Sequence, residues 1–169
     1  MQPSVFDRIQ DHLRGAGVRW TPLLHAPAHS AEEAARLRGT PLDMGGKSLV
    51  MKLDRGIGFA VLVLQGSRVI DNRALRHHLG LRRYRFATRD ELHEHTSLAP
   101  GCVPPFGRPI FDLPLYVDTG LAQLSELAFA PGRHDCSFRM RTADWLKAAQ
   151  PTDIFAFSQP TGVGTASRD

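Results

Sequence analysis

A lysine on the apolar face of a predicted strand is the residue best suited to chemistry in this sequence. Lys47 opens a largely apolar run at 47–54, and strand side chains alternate with period two. The apolar residues on its own face are Leu49, Met51 and Leu53. The Lys47 ammonium either escapes to the strand end and solvent, which is the commoner outcome, or enters a pocket to meet an anion. Gly45 and Gly46 allow a ligand to approach closely, although Gly-Gly-Lys-Ser lacks the glycine spacing of a P-loop.

A proline-rich loop at 100–109 is the second candidate for a site. It holds four prolines and two glycines in ten residues, so its backbone amides cannot all join a sheet. Such rigidity suits backbone N–H groups that are fixed in advance to hold a carbonyl oxygen or a developing oxyanion. The alternative is a structural crossover with no chemical role.

Cys102 lies inside this loop and raises the possibility of nucleophilic catalysis, with His134 as the base. No cysteine-hydrolase signature surrounds Cys102, and the pattern therefore disfavours this interpretation. The second cysteine is Cys136, and two cysteines are too few for a disulfide framework, although a single bridge stays open. Close histidine pairs are expected on helix surfaces, and without convergent carboxylates or thiols they predict no metal site. These pairs are His77 with His78 and His93 with His95.

Arginines are concentrated between positions 68 and 85. The chain has a formal charge of +4 and a pI of about 9.6, with eighteen arginines and three lysines. Six of the arginines lie in this eighteen-residue span, where Asp71 is the only acid: Arg68, Arg73, Arg76, Arg82, Arg83 and Arg85. Such a patch favours a polyanion bound through phosphate contacts, whereas the alternative is an ordinary solvated basic face.

Helix signals recur along the chain. Apolar residues four apart from Val5 predict an amphipathic helix that Gly15 or Gly17 ends. Capping-box patterns beginning at Ser30 and Thr88 predict helices at 31–38 and up to 96. Asp71 is suited to cap a helix to about position 79, and a last helix is predicted at 142–149.

Strand signals fill the space between these helices. Runs at 47–54 and 58–65, joined through Gly56, predict a β-hairpin. Further strands are expected at 18–25, 82–87, 115–118, 126–130, 136–141 and 153–157. This order predicts an α/β (α+β) domain built on a mixed, mostly antiparallel sheet surrounded by short helices. We expect one domain at 1–158 and a flexible tail at 159–169, where Gly, Ser and Thr accumulate.

The length and hydropathy pattern bound the class of protein. A chain of 169 residues with 42% hydrophobic residues suits a single core. The longest apolar run, 58–64, is far shorter than the ~20 residues of a membrane-spanning helix, and residues 1–15 do not look like a signal peptide. We therefore expect a cytoplasmic protein that does not associate with membranes.

Several segments together resemble a known family. They are GKSLVMK at 46–52, GCVPPFG at 101–107, LYVD at 115–118 and APGRH at 130–134, preceded by HAP at 25–27 and SAEEAA at 30–35. In order and spacing they resemble the YbaK and prolyl-tRNA synthetase-associated editing-domain family. The resemblance extends from about position 6 to 157.

The resemblance implies a freestanding trans-editing protein that hydrolyses the ester of a mischarged aminoacyl-tRNA without a metal or organic cofactor. Lys47 falls on the family's critical lysine, and Gly101 and Pro105 fall on the Gly-x-x-x-Pro loop that cups the aminoacyl group. These three are the implied catalytic residues. Residues implied to bind the aminoacyl group are Ser48, Cys102, Val103, Pro104 and His134, of which the three loop residues contribute backbone. Asparagine is frequent at position 48 of alanine-editing members, so the serine puts alanine specificity in doubt.

The implied partner is mischarged tRNA, with a transient contact to an aminoacyl-tRNA synthetase or elongation factor. The arginines expected to grip the acceptor stem are Arg82, Arg83 and Arg85. The rigid loop predicts a shallow cavity for a small side chain, namely serine, threonine or alanine, or else cysteine. One alternative is a non-catalytic tRNA- or RNA-binding module of the same fold. A more distant one is a small-molecule ester or thioester hydrolase that uses Cys102.

Overall fold

A computed structural model describes residues 1–162. Its helices are α1 (Val5–Gly15), α2 (Ala31–Arg38), α3 (Asn72–Leu79), α4 (Arg89–Thr96), α5 (Thr119–Ala122) and α6 (Thr142–Ala149). The predicted helices are all present, because their end signals are local. The Ser30 hydroxyl accepts the Glu33 N–H at the start of α2, and Thr88 and Glu91 form a reciprocal capping box on α4. Only the four-residue α5 and a single 3-10 turn at Leu42–Met44 lacked a sequence signal.

The strands are β1 (Thr21–Leu24), β2 (Gly46–Leu53), β3 (Gly58–Gln65), β4 (Arg68–Ile70), β5 (Tyr84–Phe86), β6 (Leu115–Asp118), β7 (Glu126–Phe129), β8 (Cys136–Arg141), β9 (Asp153–Phe155) and β10 (Ser158–Pro160). They form a five-stranded sheet in the order β5-β2-β3-β6-β9, a three-stranded sheet β1-β8-β7, and a pair β10-β4. The pairings of β6 with β3 and β9 are parallel and the others are antiparallel. The predicted mixed, mostly antiparallel α/β class is confirmed, although the strands form three sheets around the core.

The predicted hairpin positions Lys47. Strands β2 and β3 pair over their whole length, from Gly46 opposite Gln65 to Leu53 opposite Gly58. The turn takes positive φ values at Arg55 and Gly56, as a tight connection requires. Gly45 also bridges to Ala128 at the end of β7, so the three-stranded sheet meets β2 where Lys47 begins it.

Apolar residues pack on both faces of the large sheet. Five consecutive residues of β3, 60–64, are fully buried, because one face meets a cluster around Trp145 and Phe106 and the other meets Leu75 and Phe157. A strand buried on both faces has an unbroken apolar sequence, as this one does. The frame that holds β2 is therefore rigid.

The pair β4-β10 had no sequence signal. Ser158–Pro160 pair with Arg68–Ile70, so regular structure continues into the first positions of the segment expected to be a tail. The rest of the expected tail, residues 163–169, lies outside the described residues. Throughout residues 1–162, each helix is too short or too polar to cross a membrane.

Candidate functional site

Lys47 is held at the start of β2 by a neighbouring strand. Its Nζ donates a 2.6 Å hydrogen bond to the carbonyl oxygen of Arg68 in β4. The side chain is half-buried, and this burial lowers the pKa of Lys47, while the negative charge of Glu32 acts in the opposite direction. Of the two outcomes open to this lysine, the structure shows the one in which the ammonium faces a pocket.

Two concave surfaces meet at Lys47. The first, which we term the small cleft, has a volume of about 240 Å³. It is lined by residues of the α2 region, the start of β2, the proline-rich loop and the end of β7: His29, Ser30, Ala31, Ala34, Arg38, Gly45, Gly46, Lys47, Ser48, Leu49, Gly101, Val103 and Ala130. The second, the arginine groove, is larger at about 710 Å³ and also includes Lys47 and Leu49.

Ser48 places a hydroxyl with no protein partner in the small cleft. Its Oγ is buried and makes no hydrogen bond to any residue that the structure describes. A buried polar atom without a partner costs about 1–3 kcal/mol. A ligand that brings its own donor or acceptor to this position would therefore satisfy the Ser48 hydroxyl.

Gly101 brings the proline-rich loop against the cleft. Its φ of +95° is strained for any residue with a side chain, and a Cβ would lie 3.2 Å from the carbonyl oxygen of His29. His134 supports the loop, because its Nε2 lies 2.9 Å from the carbonyl oxygen of Pro100. The His134 ring also packs on His29, with 4.5 Å between ring centroids. Gly101 and His29 form part of the cleft wall, and His134 contacts both of them.

The other loop residues implied to touch substrate do not all face the small cleft. Val103 lines the cleft, whereas Cys102, Pro104 and Pro105 are buried and do not form its wall within residues 1–162. The Pro105 carbonyl accepts a 3.0 Å hydrogen bond from the Trp145 indole. Pro104 and Pro105 thus shape the loop from the core side. The sequence interpretation assumed that consecutive loop residues share one surface, but within residues 101–105 only Gly101 and Val103 line the cleft.

The Cys102 thiol lies in surroundings that oppose thiolate formation. Its Sγ lies 3.4 Å from the carbonyl oxygen of Ala99, and burial raises the pKa of the thiol. These features disfavour Cys102 as a nucleophile. Cys102 and Cys136 are both free thiols, so the bridge that the sequence left open is not formed.

The histidine pairs have structural contacts. His78 lies 2.8 Å from the Asp153 carboxylate and stacks on Phe155, and His95 packs on Phe59. In the part of the chain that the structure describes, no group of three or more metal-ligating side chains is placed to hold an ion.

The arginine groove combines apolar and basic lining residues. Its uncharged residues are Leu49, Met51, Val69, Ile70, Asn72, Tyr84 and Phe86, and its basic residues are Lys47, Arg76, Arg82, Arg83 and Arg85. The Phe86 ring is 61% exposed, which is unusual for a phenylalanine. Exposed aromatic rings beside guanidinium groups suit nucleic-acid bases and phosphates.

The clustered arginines are not equivalent in the structure. Arg82 and Arg83 are exposed, and the Asp54 carboxylate accepts their backbone N–H groups, so their side chains stay available. Arg85 instead forms two hydrogen bonds to Glu91, at 2.7 and 3.1 Å. These bonds, together with the hydrogen bond from the Thr88 backbone N–H, lower the pKa of Glu91 to about 2. Arg68 turns away to Ser158 in β10.

Sequence reasoning missed the contribution of α2 to the cleft. Its Ala31, Ala34 and Arg38 form one wall, but it was assigned only a structural role. The one available signal was the position of the SAEEAA segment just before the lysine strand.

Comparisons with known proteins identify the family of this chain. The family model of the aminoacyl-tRNA editing domain matches residues 25–148. The multifunctional Ser/Thr-tRNA deacylase ProXp-y of Escherichia coli K12 is 34% identical over 143 residues, which cover 82% of this chain and 84% of that protein. The proline–tRNA ligase of Bordetella parapertussis is 28% identical over 84% of this chain, a match that spans 25% of the ligase.

A solved structure extends the likeness to the fold. A candidate trans-editing enzyme for prolyl-tRNA synthetase superposes with a TM-score of 0.75 at 25% identity, over 94% of this chain and 99% of that one. The matched region contains every residue that lines the small cleft. The chain therefore belongs to the aminoacyl-tRNA editing domain family.

Proposed function

We propose that this protein is a trans-editing deacylase that hydrolyses the ester between a small amino acid and the tRNA to which it is wrongly attached. Family membership supports this class of reaction, and ProXp-y is a deacylase of Ser- and Thr-tRNA by its name. We place this reaction in the cytoplasm, with transient delivery of substrate by a synthetase or elongation factor.

The single observation that carries the proposal is the position of Lys47 between two surfaces of different character. The small cleft is of a size for an aminoacyl group, and the arginine groove has the charge and aromatic surface for a tRNA 3′ end. An ester that joins the two parts of such a substrate would lie beside Lys47. Its ammonium would then contact the terminal phosphate or the ester carbonyl.

Hydrolysis of this ester requires few catalytic groups from the protein. Water attacks the ester carbonyl carbon, the bond to the ribose oxygen breaks, and the products are the free amino acid and a tRNA with its terminal hydroxyl restored. The neighbouring ribose hydroxyl already activates the ester, so positioning and stabilisation of the oxyanion are sufficient. Backbone N–H groups near Gly101 supply part of that stabilisation.

The cleft favours a small, hydroxylated side chain. Its volume of about 240 Å³ must hold the aminoacyl group and part of the ribose. The unpartnered Ser48 hydroxyl offers a hydrogen bond to a substrate hydroxyl. We therefore expect serine and threonine first, then alanine, with cysteine as the other candidate. A pocket of this kind separates near-isosteres by only about 1–3 kcal/mol, so we expect activity on more than one of them.

The test is deacylation of a panel of mischarged tRNAs by the wild type and by Lys47→Ala. We expect hydrolysis of Ser- and Thr-tRNA by the wild type and at least a hundredfold loss in Lys47→Ala, of the size that a lost oxyanion donor produces. Lys52→Ala is the matched control, since Lys52 is exposed, lies on the opposite face of β2 and contacts the Phe59 ring. Tight tRNA binding without hydrolysis of any ester would instead support the non-catalytic binding module.

A further inference from the structure

Arg38 is a guanidinium held in place in the wall of the small cleft. It ends α2, is half-buried, and donates from Nε to the Thr40 hydroxyl and from Nη1 to the Ser137 hydroxyl, each at 3.3 Å. Its Nη2 lies against Gly45, where a Cβ would come within 3.0 Å. The absence of a side chain at position 45 thus makes room for this group beside the start of the lysine strand.

Ser137, which accepts a hydrogen bond from Arg38, is itself held in place. Ser137 is 1% exposed, and its Oγ lies 2.8 Å from His25 Nε2, while His25 Nδ1 lies 2.7 Å from the Ala26 carbonyl oxygen. A carbonyl only accepts, so Nδ1 carries the proton and Nε2 of the neutral ring accepts from the Ser137 hydroxyl. The Ser137 oxygen then remains to accept from Arg38. These hydrogen bonds therefore fix the orientation of the Arg38 guanidinium group.

Arg38 has no counterion in the described chain. None of the six ion pairs there includes it, and burial without a compensating carboxylate lowers the pKa of Arg38. A partly desolvated cation without a partner is unfavourable unless a ligand brings negative charge. The hydrogens on Nη2 have no acceptor among residues 1–162, and Arg38 is one of the residues that line the small cleft.

The position of Arg38 indicates which part of the substrate carries the negative charge that it meets. Lys47 lines both surfaces, whereas Arg38 lines the small cleft and is not among the residues that line the arginine groove, the surface suited to phosphates. The part of the substrate held in the cleft is neutral or cationic in its ground state, and it gains negative charge only on the carbonyl oxygen as water attacks. We propose, on the basis of the function proposed above, that Arg38 binds this oxygen and is a catalytic residue of the deacylation.

Steady-state hydrolysis of Ser-tRNA tests this role with Arg38→Met, which keeps an unbranched side chain and removes the guanidinium group. We expect a roughly hundredfold fall in kcat with KM for tRNA little changed, because the contact forms only in the transition state. Arg36→Met is the matched control, since Arg36 is exposed on the same helix. Arg38→Lys should recover part of the rate. Gly45→Ala should reduce kcat less, since its Cβ displaces Nη2 and leaves the charge in place.

A minimal substrate separates the two sources of anionic oxygen. The seryl ester of adenosine lacks phosphate, and the seryl ester of adenosine 5′-monophosphate carries one. We expect Arg38→Met to lose the same factor on both. A loss confined to the phosphorylated ester overturns the assignment in favour of phosphate binding. A wild-type kcat in folded Arg38→Met overturns the assignment of Arg38 outright. If the methionine variant does not fold, a wild-type kcat in both Gly45→Ala and Arg38→Lys overturns it. Failure of the wild type to hydrolyse any ester overturns the proposed function as well.

Discussion

The small cleft and the arginine groove share Lys47 but are built in opposite ways. The cleft wall includes a glycine at positive φ, a buried hydroxyl without a partner among the described residues, and a guanidinium held by two hydroxyls. The groove is rimmed by exposed guanidinium groups, and its Phe86 ring is open to solvent. A preorganised site favours chemistry and selectivity, whereas mobile surface charges favour affinity for a polyanion. Changes in the two regions should therefore affect different measured quantities.

Gly101→Ala should have the largest effect of the substitutions that separate the two regions. At φ +95° a side chain costs about 1–3 kcal/mol, and the new Cβ would press on the His29 carbonyl and displace the loop from the cleft. We expect at least a tenfold loss of hydrolysis on tRNA and on a short aminoacyl-nucleotide alike. Gly80→Ala is the control, because it also has positive φ but meets nothing within 4 Å. Equal loss in both variants would show that backbone strain alone, and not the cleft, is responsible.

Neutralising Arg82 and Arg83 together should affect the groove and leave the cleft intact. We expect weaker tRNA binding and a shallower dependence of affinity on salt, by about one unit of slope for each phosphate that the variant no longer neutralises. Hydrolysis of a short aminoacyl-nucleotide should change little. Adding Arg85→Ala should contribute less, because Glu91 already holds that guanidinium. Binding titrations at several salt concentrations measure this, and equal losses on the long and short substrates would contradict the division of roles.

The success of sequence reasoning depended on how local each signal is. Helix α2 was predicted to the residue because Ser30 and Gly39 mark its ends within the same stretch of chain. Strands β4 and β10 are three residues long and pair across ninety positions, so neither has a periodic pattern. Prediction of the cleft residues was limited in the same way. Lys47 was singled out on an apolar strand and Gly101 through the family resemblance of the loop, but the proposed role of Arg38 depends on Thr40, Ser137 and Gly45, which only the fold brings together.

Ser48→Ala should have a moderate effect that is confined to selectivity. The hydroxyl has no protein partner, so its removal should leave the melting temperature unchanged or slightly raised. Loss of one hydrogen bond to a substrate hydroxyl should lower activity on Ser- and Thr-tRNA by roughly tenfold relative to Ala-tRNA. Side-by-side rates on the three substrates measure the shift. A uniform fall on all three would mean that Ser48 acts on the ester and not on the side chain.

Cys102→Ala should have the smallest effect. The thiol is buried and burial raises its pKa, which disfavours the thiolate that a covalent mechanism needs. Its backbone carbonyl accepts from the Gly132 N–H, and that bond survives the substitution. Removing the buried sulfur should therefore lower the free energy of unfolding by about 1 kcal/mol through weaker packing, with deacylation largely retained. Thermal melts and rates on Ser-tRNA measure both. A loss of deacylation above about a hundredfold, together with an acyl-enzyme trapped on the wild type, would show that Cys102 attacks the ester and that water does not attack it directly.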